Sequence, residues 1–141
     1  MTYTEKQFRL NKRILIAKIG LDGHDRGAKI ILSFLKEAGY QVLYSGLHKT
    51  AEQIVEIAIQ EDVDAIGISI LSGSHNDLIL ELFEELKLKS FGETLIFAGG
   101  TIPHCDISAL KDLGVDEIFP SGADTSLFLA WLDQKLSIIH T

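Results

Sequence analysis

Short apolar runs alternate along the chain with longer segments in which apolar residues recur at every third or fourth position. The short runs have the length of buried strands, whereas the longer segments have the period of amphipathic helices. We predict strands at residues 13–19, 41–44, 65–69, 94–98 and 117–119. Strands that alternate with helices are typical of βα units, and they predict a parallel sheet.

Four helical segments each carry a continuous apolar face, which predicts burial against the sheet. The segment after the first strand ends at Gly39, a residue suited to a left-handed helix cap. The last segment begins near Asp124, Thr125 or Ser126, any of which can cap a helix. The apolar positions of the four segments are Ile30, Ile31, Phe34, Leu35 and Ala38; Ala51, Ile54, Val55, Ala58 and Ile59; Leu78, Ile79, Leu82, Phe83 and Leu86; and Leu127, Phe128, Trp131 and Leu132.

The predicted fold class is α/β: a single doubly wound domain of the flavodoxin-like Rossmann type, a five-stranded parallel sheet with helices on both faces. A length of 141 residues suits one such domain. We assign residues 13–141 to this domain and residues 1–12 to an N-terminal lead-in. The basic residues of this region are expected to be solvated, namely Lys6, Arg9, Lys12 and Arg13.

A net charge of −7 argues against nucleic acid as the main partner, because phosphate binding needs clustered lysine and arginine. Cys105 is the only cysteine, so that no intrachain disulfide can form and a cytoplasmic location is expected. No apolar run approaches the roughly 20 residues of a membrane span, and residues 1–13 lack the apolar core of a signal peptide. We therefore expect a soluble protein with no membrane partner.

In a doubly wound sheet the ligand lies at the carboxyl ends of the strands, in the loops that lead into the helices. The sequence places these loops at 20–27, 45–50, 70–77, 99–106 and 120–125. Four of the five histidines fall within them, namely His24, His48, His75 and His104. The loops are therefore the segments in which to look for chemistry.

Several familiar sites do not fit these loops. The glycines at 20, 23 and 27 lack the Gly-x-Gly-x-x-Gly spacing of a dinucleotide site, and neither a P-loop nor a Gly-x-Ser-x-Gly nucleophile motif occurs. A phospho-acceptor receiver domain would carry an acid where the third strand has Ser69, and a lysine where Pro120 follows the fifth strand. His104 and Cys105 could each donate to zinc, but sequence neighbours rarely point at one ion, and we interpret them as loop residues at a helix start.

The first loop contains a histidine between two aspartates, Asp22 and Asp25. Asp22 and His24 are two positions apart, so that a carboxylate can accept the imidazole N–H and leave the other nitrogen free for a metal. Lys18 lies four positions before Asp22 and could offset its charge. The alternative is a turn into a helix, capped by Asp22 or Asp25, with His24 exposed. The spacing alone does not decide between these two interpretations.

Three motifs together favour the metal interpretation. Residues 22–27 have the form D-x-H-x-x-G, residues 69–71 have the form S-x-L, and Gly99-Gly100 follows the fourth strand. In this order and at these strand ends they resemble the cobalamin-binding domain of adenosylcobalamin-dependent mutases and of methionine synthase, over nearly the whole chain. The run AKIGLDGHDRGAK is similar to the methylmalonyl-CoA mutase branch, which includes the small subunits of isobutyryl-CoA and 2-hydroxyisobutyryl-CoA mutases.

The resemblance implies a role for each matching residue. His24 would replace the cofactor's own base as the lower axial ligand of cobalt, with Asp22 holding its other nitrogen and Lys18 behind. Gly27 would let a helix begin close to the displaced nucleotide tail. The remaining residues assigned to the cofactor site are Gly23, Asp25, Arg26, Ser69, Leu71, Gly73, Gly99, Gly100 and Gly122. Ser69 and Leu71 would line the slot for the tail, and Gly99 and Gly100 would keep its opposite wall open. A lining role for Gly122, His48, His75 and Thr125 stays open beside plain loop chemistry.

The resemblance also implies a function that one small domain cannot perform alone. It predicts the cobalamin-binding small subunit of an adenosylcobalamin-dependent acyl-CoA mutase, an isomerase whose substrate binds in a (β/α)₈ barrel on a separate large subunit. No residue of this chain would then be catalytic. The alternatives are a corrinoid carrier for methyl transfer, a cobalamin sensor, and a flavodoxin-like scaffold with a vestigial site.

Overall fold

A computed structural model describes residues 3–18, 26–70, 75–100, 102–120 and 122–139. The strands are β1 (Arg13–Lys18), β2 (Gln41–Tyr44), β3 (Ala65–Ile70), β4 (Leu95–Gly100) and β5 (Glu117–Pro120). The helices are α1 (Tyr3–Leu10), α2 (Arg26–Ala38), α3 (Ala51–Gln60), α4 (His75–Leu88), α5 (Ile107–Leu113) and α6 (Thr125–Ile139), and a short 3₁₀ turn, His104–Asp106, precedes α5.

The five strands form one parallel sheet in the order β2-β1-β3-β4-β5, which confirms the predicted fold class. The predicted strand bounds differ mainly at β4, which continues two residues beyond Ala98. Gly99 and Gly100 pair with Ser69 and Ile70 of β3, so that two glycines expected in a loop belong to the sheet. Ile19, which was assigned to the first strand, lies outside the described residues.

Two apolar cores sandwich the sheet. Helices α3, α4 and α5 cover one face, where Ile54, Leu82 and Leu110 are fully buried. Helices α2 and α6 cover the other face, where Leu35 and Leu132 are fully buried. Within the described part of the chain, no helix combines the length and apolarity that crossing a bilayer requires.

The predicted helix faces are confirmed in part. Ile30 of α2, which was predicted to be buried, is exposed, and Ile59 and Leu127 are exposed as well. The face of α2 that meets the sheet is rotated toward Ala28, which is buried and lies nearly two turns before Leu35. The prediction for Ile30 was therefore wrong. Trp131 packs edge-on against Phe97 and Phe119, as its assignment to the core requires.

The N-terminal segment was predicted to be a solvated lead-in, and this prediction was wrong for Arg9. Helix α1 occupies most of the segment, and Arg9 is buried. The Arg9 guanidinium donates to both carboxylate oxygens of Asp133 on α6, with Nε–Oδ1 at 3.1 Å and Nη2–Oδ2 at 2.6 Å. Its Nη1 also donates to the Ala38 carbonyl at the end of α2, at 3.0 Å. The Tyr40 hydroxyl donates to the same carboxylate, and burial followed by this hydrogen bond raises the pKa of Tyr40. Arg9 therefore connects α1 to both helices of one layer.

Replacing Arg9 by methionine is expected to lower the free energy of unfolding by about 2–3 kcal/mol, because it leaves the Asp133 carboxylate without its cation. The matched control is Lys111→Met, which removes a surface ion pair to Glu117. An exposed ion pair contributes less than about 1 kcal/mol, so Lys111→Met should change the free energy of unfolding very little. Urea unfolding of both variants measures the difference, and equal losses would contradict a structural role for Arg9.

Candidate functional site

A cavity of about 440 Å³ lies between the sheet and the helices α2 and α6, toward the carboxyl ends of the strands. Its volume falls in the range of about 300–1,000 Å³ that is typical of small-molecule sites. It includes the boundary between β1 and β3, where connections to the two sides of the sheet diverge and ligands of doubly wound folds bind. The residues that line it are Ile16, Gly67, Ile68, Ser69, Phe97, Ala98, Gly99, Gly100, Phe119 and Pro120 from the sheet, and Gly27, Ala28, Ile30, Ile31, Gly122, Ala123, Thr125 and Phe128 from the helices and the last loop.

The cavity floor consists of Ile16, Gly67 and Phe97, which lie side by side on β1, β3 and β4. A Cβ atom at Gly67 would lie 2.5 Å from two ring carbons of Phe97 and 2.9 Å from Cδ1 of Ile16. Real Cβ atoms do not come that close to other atoms, so a glycine is required here. Gly67 thus lets the Phe97 ring lie across the central strand and gives the cavity an aromatic floor.

Two residues further along the strands, the register brings Lys18, Ser69 and Gly99 into one row. A Cβ atom built on Gly27 of α2 would lie 4.0 Å from Oγ of Ser69. The gap between α2 and β3 is therefore open at Gly27, and any larger side chain there would extend into the cavity.

Gly99 and Gly100 both line the cavity, but the nearest obstacle to a side chain is backbone in each case. A Cβ atom on Gly99 would lie 3.0 Å from the Phe119 carbonyl oxygen. At Gly100 it would lie 2.0 Å from the Ile70 carbonyl oxygen, and φ is +116°, a conformation that favours glycine. Gly100 is thus required by the sheet itself, independently of any ligand.

A buried serine fixes the end of β1, where the first loop begins. Ser45 Oγ accepts a hydrogen bond from the Lys18 backbone N–H at 3.1 Å and donates to the Gly46 carbonyl at 3.0 Å. Lys18 itself is almost fully buried. The backbone that leads into residues 19–25 is therefore held in place by contacts with the segment after β2.

The described lining of the cavity is almost entirely apolar. Among its described lining residues no side chain is charged, and the only polar side-chain atoms are the hydroxyls of Ser69 and Thr125. Three phenylalanines contribute to the wall, and the Phe128 ring centroid lies 5.2 Å from that of Phe97 and 4.7 Å from that of Phe119. The site therefore suits a largely apolar, flat group that carries few hydrogen-bonding atoms.

The predicted site residues are placed as follows. Gly27, Ser69, Gly99, Gly100 and Gly122 all line the one cavity. Arg26 is the first residue of α2, and His75 the first of α4. The residues Asp22, Gly23, His24, Asp25, Leu71 and Gly73 lie outside the described residues.

The side chains of His48, His104 and Cys105 lie away from the cavity lining. His48 is exposed in the segment after β2, with a positive φ of 60°. His104 and Cys105 lie in the 3₁₀ turn before α5, where the exposed Cys105 Sγ is 3.7 Å from Oδ1 of Asp106. Within the described ranges, no three histidine, cysteine or acidic side chains converge as metal ligands would.

Reasoning from the sequence missed most of the apolar lining. Gly67 had one usable signal, because a glycine inside an apolar strand often marks a close approach of neighbouring groups. Phe97, Phe119 and Phe128 were assigned to strands or to the core, and their sequence context does not distinguish a cavity wall from core packing.

Comparison with known sequences identifies related proteins. The B12 binding domain family model matches residues 12–129. The 2-hydroxyisobutanoyl-CoA mutase small subunit of Aquincola tertiaricarbonis is 47% identical over 106 residues, covering 75% of this chain and 78% of that protein. The pivalyl-CoA mutase small subunit of Xanthobacter autotrophicus is 40% identical over 111 residues, covering 79% and 74%. Methylmalonyl-CoA mutase of Escherichia coli is 44% identical over 110 residues, but this chain spans only 15% of its length.

Solved structures share the fold. A cobalamin-binding protein from Desulfitobacterium hafniense superposes with a TM-score of 0.73 at 20% identity, covering 85% of this chain and 58% of that chain. A signal receiver domain from Colwellia psychrerythraea gives 0.67 at 12% identity, covering 90% and 99%. Likeness at such low identity extends to the fold alone, and the same fold serves unrelated functions. Ser69 and Pro120, at the ends of β3 and β5, continue to argue against a receiver.

Proposed function

Because the chain belongs to the B12-binding domain family, alongside the small subunits of acyl-CoA mutases, we propose that it holds adenosylcobalamin for a two-chain acyl-CoA mutase. The observation that carries this proposal is the cavity under α2 and α6. It is lined by five of the glycine and serine residues that the family resemblance assigns to the cofactor, namely Gly27, Ser69, Gly99, Gly100 and Gly122.

The residues of the cavity fit the nucleotide tail of a cobalamin. A benzimidazole base is flat and largely apolar, and it would lie against the hydrocarbon and aromatic surfaces of Ile16, Phe97 and Phe128. Gly27 and Gly67 leave open the space that side chains would occupy. Ser69 lines the cavity, and its hydroxyl can donate a hydrogen bond to a ring nitrogen of the base.

His24 is proposed as the lower axial ligand of cobalt, with Asp22 accepting the hydrogen bond from its other ring nitrogen. A carboxylate in that role fixes the tautomer and the orientation of a metal-bound imidazole. Support comes from the D-x-H-x-x-G motif and from its position, since the motif ends at Gly27 on the wall of the cavity. Leu71 and Gly73 are proposed to border the same site, as are Gly23, Asp25 and Arg26. Lys18, buried at the end of β1, is proposed to offset the charge of Asp22.

Bound adenosylcobalamin supplies radical chemistry through homolysis of its cobalt–carbon bond. The part of this chain is to bind and to orient. The apolar walls would exclude water from the tail, Ser69 would position the base, and Asp22 would orient the imidazole of His24 toward cobalt. Because the relatives that this chain matches over most of their length are small subunits of mutases, we propose that a separate large subunit binds the acyl-CoA substrate in a (β/α)₈ barrel.

The proposed large subunit is expected to change the affinity of this chain for cobalamin. If the large subunit completes the cofactor site, the affinity of the chain for cobalamin is expected to rise at least tenfold when that subunit is added, which corresponds to a coupling of about 1.4 kcal/mol. Calorimetric titration of the purified chain, with and without the large subunit, measures it. An affinity that does not change would contradict the partner's role. Absence of cobalamin binding under both conditions would contradict the proposed function itself.

A further inference from the structure

Strand β1 continues two residues beyond the point where its neighbour β2 ends. The ladder between them pairs residues 13–16 with residues 41–44, whereas β1 runs on to Lys18. The Ser45 N–H then donates to the Ile16 carbonyl at 3.0 Å. Alternate residues of a strand direct their backbone groups to the same neighbour, so the Lys18 N–H points to the side where β2 has ended. A buried N–H in that position requires another acceptor.

The side chain of Ser45 provides this acceptor. Its Oγ lies 3.1 Å from the Lys18 backbone nitrogen and donates its own proton to the Gly46 carbonyl at 3.0 Å. Ser45 is buried, so an N–H that lost this acceptor could not turn to bulk water instead. At Gly46 the chain turns with φ of +85°, a conformation that favours glycine. A side-chain hydroxyl thus takes the place of a strand backbone at the end of β1.

The residue held in this way is Lys18, which is only 2% exposed. On its other side it pairs with Ser69 of β3, a residue of the cavity lining. A buried ammonium group is costly unless another group compensates its charge, so its position relative to that group matters. The proposed function assigns the compensation to the Asp22 carboxylate, which would in turn hold the imidazole of His24. A displacement of Lys18 would therefore be transmitted to the metal ligand.

We propose that Ser45 is a positioning residue of the cofactor site, which acts through Lys18 on the proposed bond between His24 and cobalt. The inference rests on the proposed function, because it requires His24 to bind the metal. Ser45 is not part of the cavity lining, and it would act by fixing the backbone of β1. Without its hydroxyl the end of β1 can shift, so the Asp22 carboxylate loses part of its charge compensation and orients the imidazole less firmly.

The test measures the ratio of histidine-free to histidine-ligated cobalt in three variants at Ser45. Electron paramagnetic resonance of cob(II)alamin, bound to the purified chain or to its complex with the large subunit, gives this ratio, and ¹⁵N-labelled histidine identifies the ligand. Ser45→Ala is expected to raise the ratio roughly fivefold, the equivalent of one hydrogen bond. Ser45→Thr keeps the hydroxyl and should restore the original ratio. Ser45→Cys keeps the size of the side chain but accepts weakly, and it should fall between them.

The matched control removes another hydroxyl from the same segment. Thr50 caps α3, where its Oγ1 accepts a hydrogen bond from the Gln53 N–H at 3.1 Å. Thr50→Ala should lower the stability of the chain through the loss of this cap and leave the ratio unchanged. Equal changes of the ratio in Thr50→Ala and Ser45→Ala would overturn the inference, because they would assign the effect to a general loss of stability.

A double-mutant cycle tests whether Ser45 acts through Lys18. In Lys18→Met the ammonium is absent, so the further change Ser45→Ala should leave the ratio where Lys18→Met alone puts it. Effects that simply add would overturn the proposed route. A signal that depends on labelled histidine but is the same in Ser45→Ala and Ser45→Cys as in the unmodified chain would overturn the inference and leave the proposed function intact. Absence of a histidine-dependent signal in the unmodified chain would contradict the proposed role of His24, and this inference with it.

Discussion

Replacing Gly100 by alanine is expected to destabilise the domain by on the order of 3–5 kcal/mol, a large share of the roughly 5–15 kcal/mol that stabilises a typical domain. Two costs add at this position. The backbone has φ of +116°, which strains any residue with a Cβ atom, and that atom would lie 2.0 Å from the Ile70 carbonyl oxygen. The end of β4 would have to move away from β3, which would break the pairing between Gly100 and Ile70.

The variant Gly122→Ala measures the cost of a positive φ without that of a close Cβ contact. Gly122 also has a positive φ, of +87°, but a Cβ atom there would meet nothing within 4 Å. The loss of stability in Gly122→Ala should therefore come from backbone strain alone, about 1 kcal/mol. Urea unfolding of both variants measures the difference. If Gly100→Ala loses no more stability than Gly122→Ala, the contact with Ile70 does not constrain this strand.

Replacing Gly27 by leucine is expected to weaken cobalamin binding by roughly tenfold to hundredfold while leaving the fold intact. The nearest atom to a Cβ at this position is Ser69 Oγ at 4.0 Å, so the side chain has room to form but extends into the cavity. Crowding a packed site costs about 1–3 kcal/mol, which gives the range of affinities. Leucine also favours helix over glycine, so thermal stability should be unchanged or higher.

The control for this variant is Gly92→Leu. Gly92 is exposed, lies outside the cavity and has open space around a Cβ atom. The Gly92→Leu variant should bind cobalamin as tightly as the unmodified chain does. Opposite effects of Gly27→Leu on stability and on affinity would identify the cavity as the ligand site. Unchanged affinity in Gly27→Leu would show that the tail does not pass this part of α2.

The sheet and the location of the site can be predicted from the sequence because both depend on patterns within short segments of the chain. The period of the apolar residues distinguishes strands from helices, and a parallel sheet brings its strand ends to one edge. Ser69 and Gly99 lie near the ends of β3 and β4, and Gly27 lies in the first turn of α2, which follows β1. These residues are far apart in the chain, and the structure brings all three to one cavity.

The features that were missed depend on contacts between distant parts of the chain. Helix α1 is short and largely polar, and its buried cation Arg9 bonds to Asp133, 124 positions away. The floor of the cavity depends on the register between β3 and β4, which places Phe97 beside Gly67. The exposure of Ile30 depends on how α2 is rotated against the sheet, and Ala28 was too small a residue to indicate that rotation.

The most direct test of the account is electron paramagnetic resonance of cob(II)alamin bound to the chain, recorded with and without ¹⁵N-labelled histidine. We predict a nitrogen splitting pattern that changes with the label, is lost in His24→Ala, and persists in His48→Ala, which removes an exposed histidine outside the cavity lining. A pattern that does not respond to the label would mean that the cofactor keeps its own base on cobalt, and would contradict the role of His24.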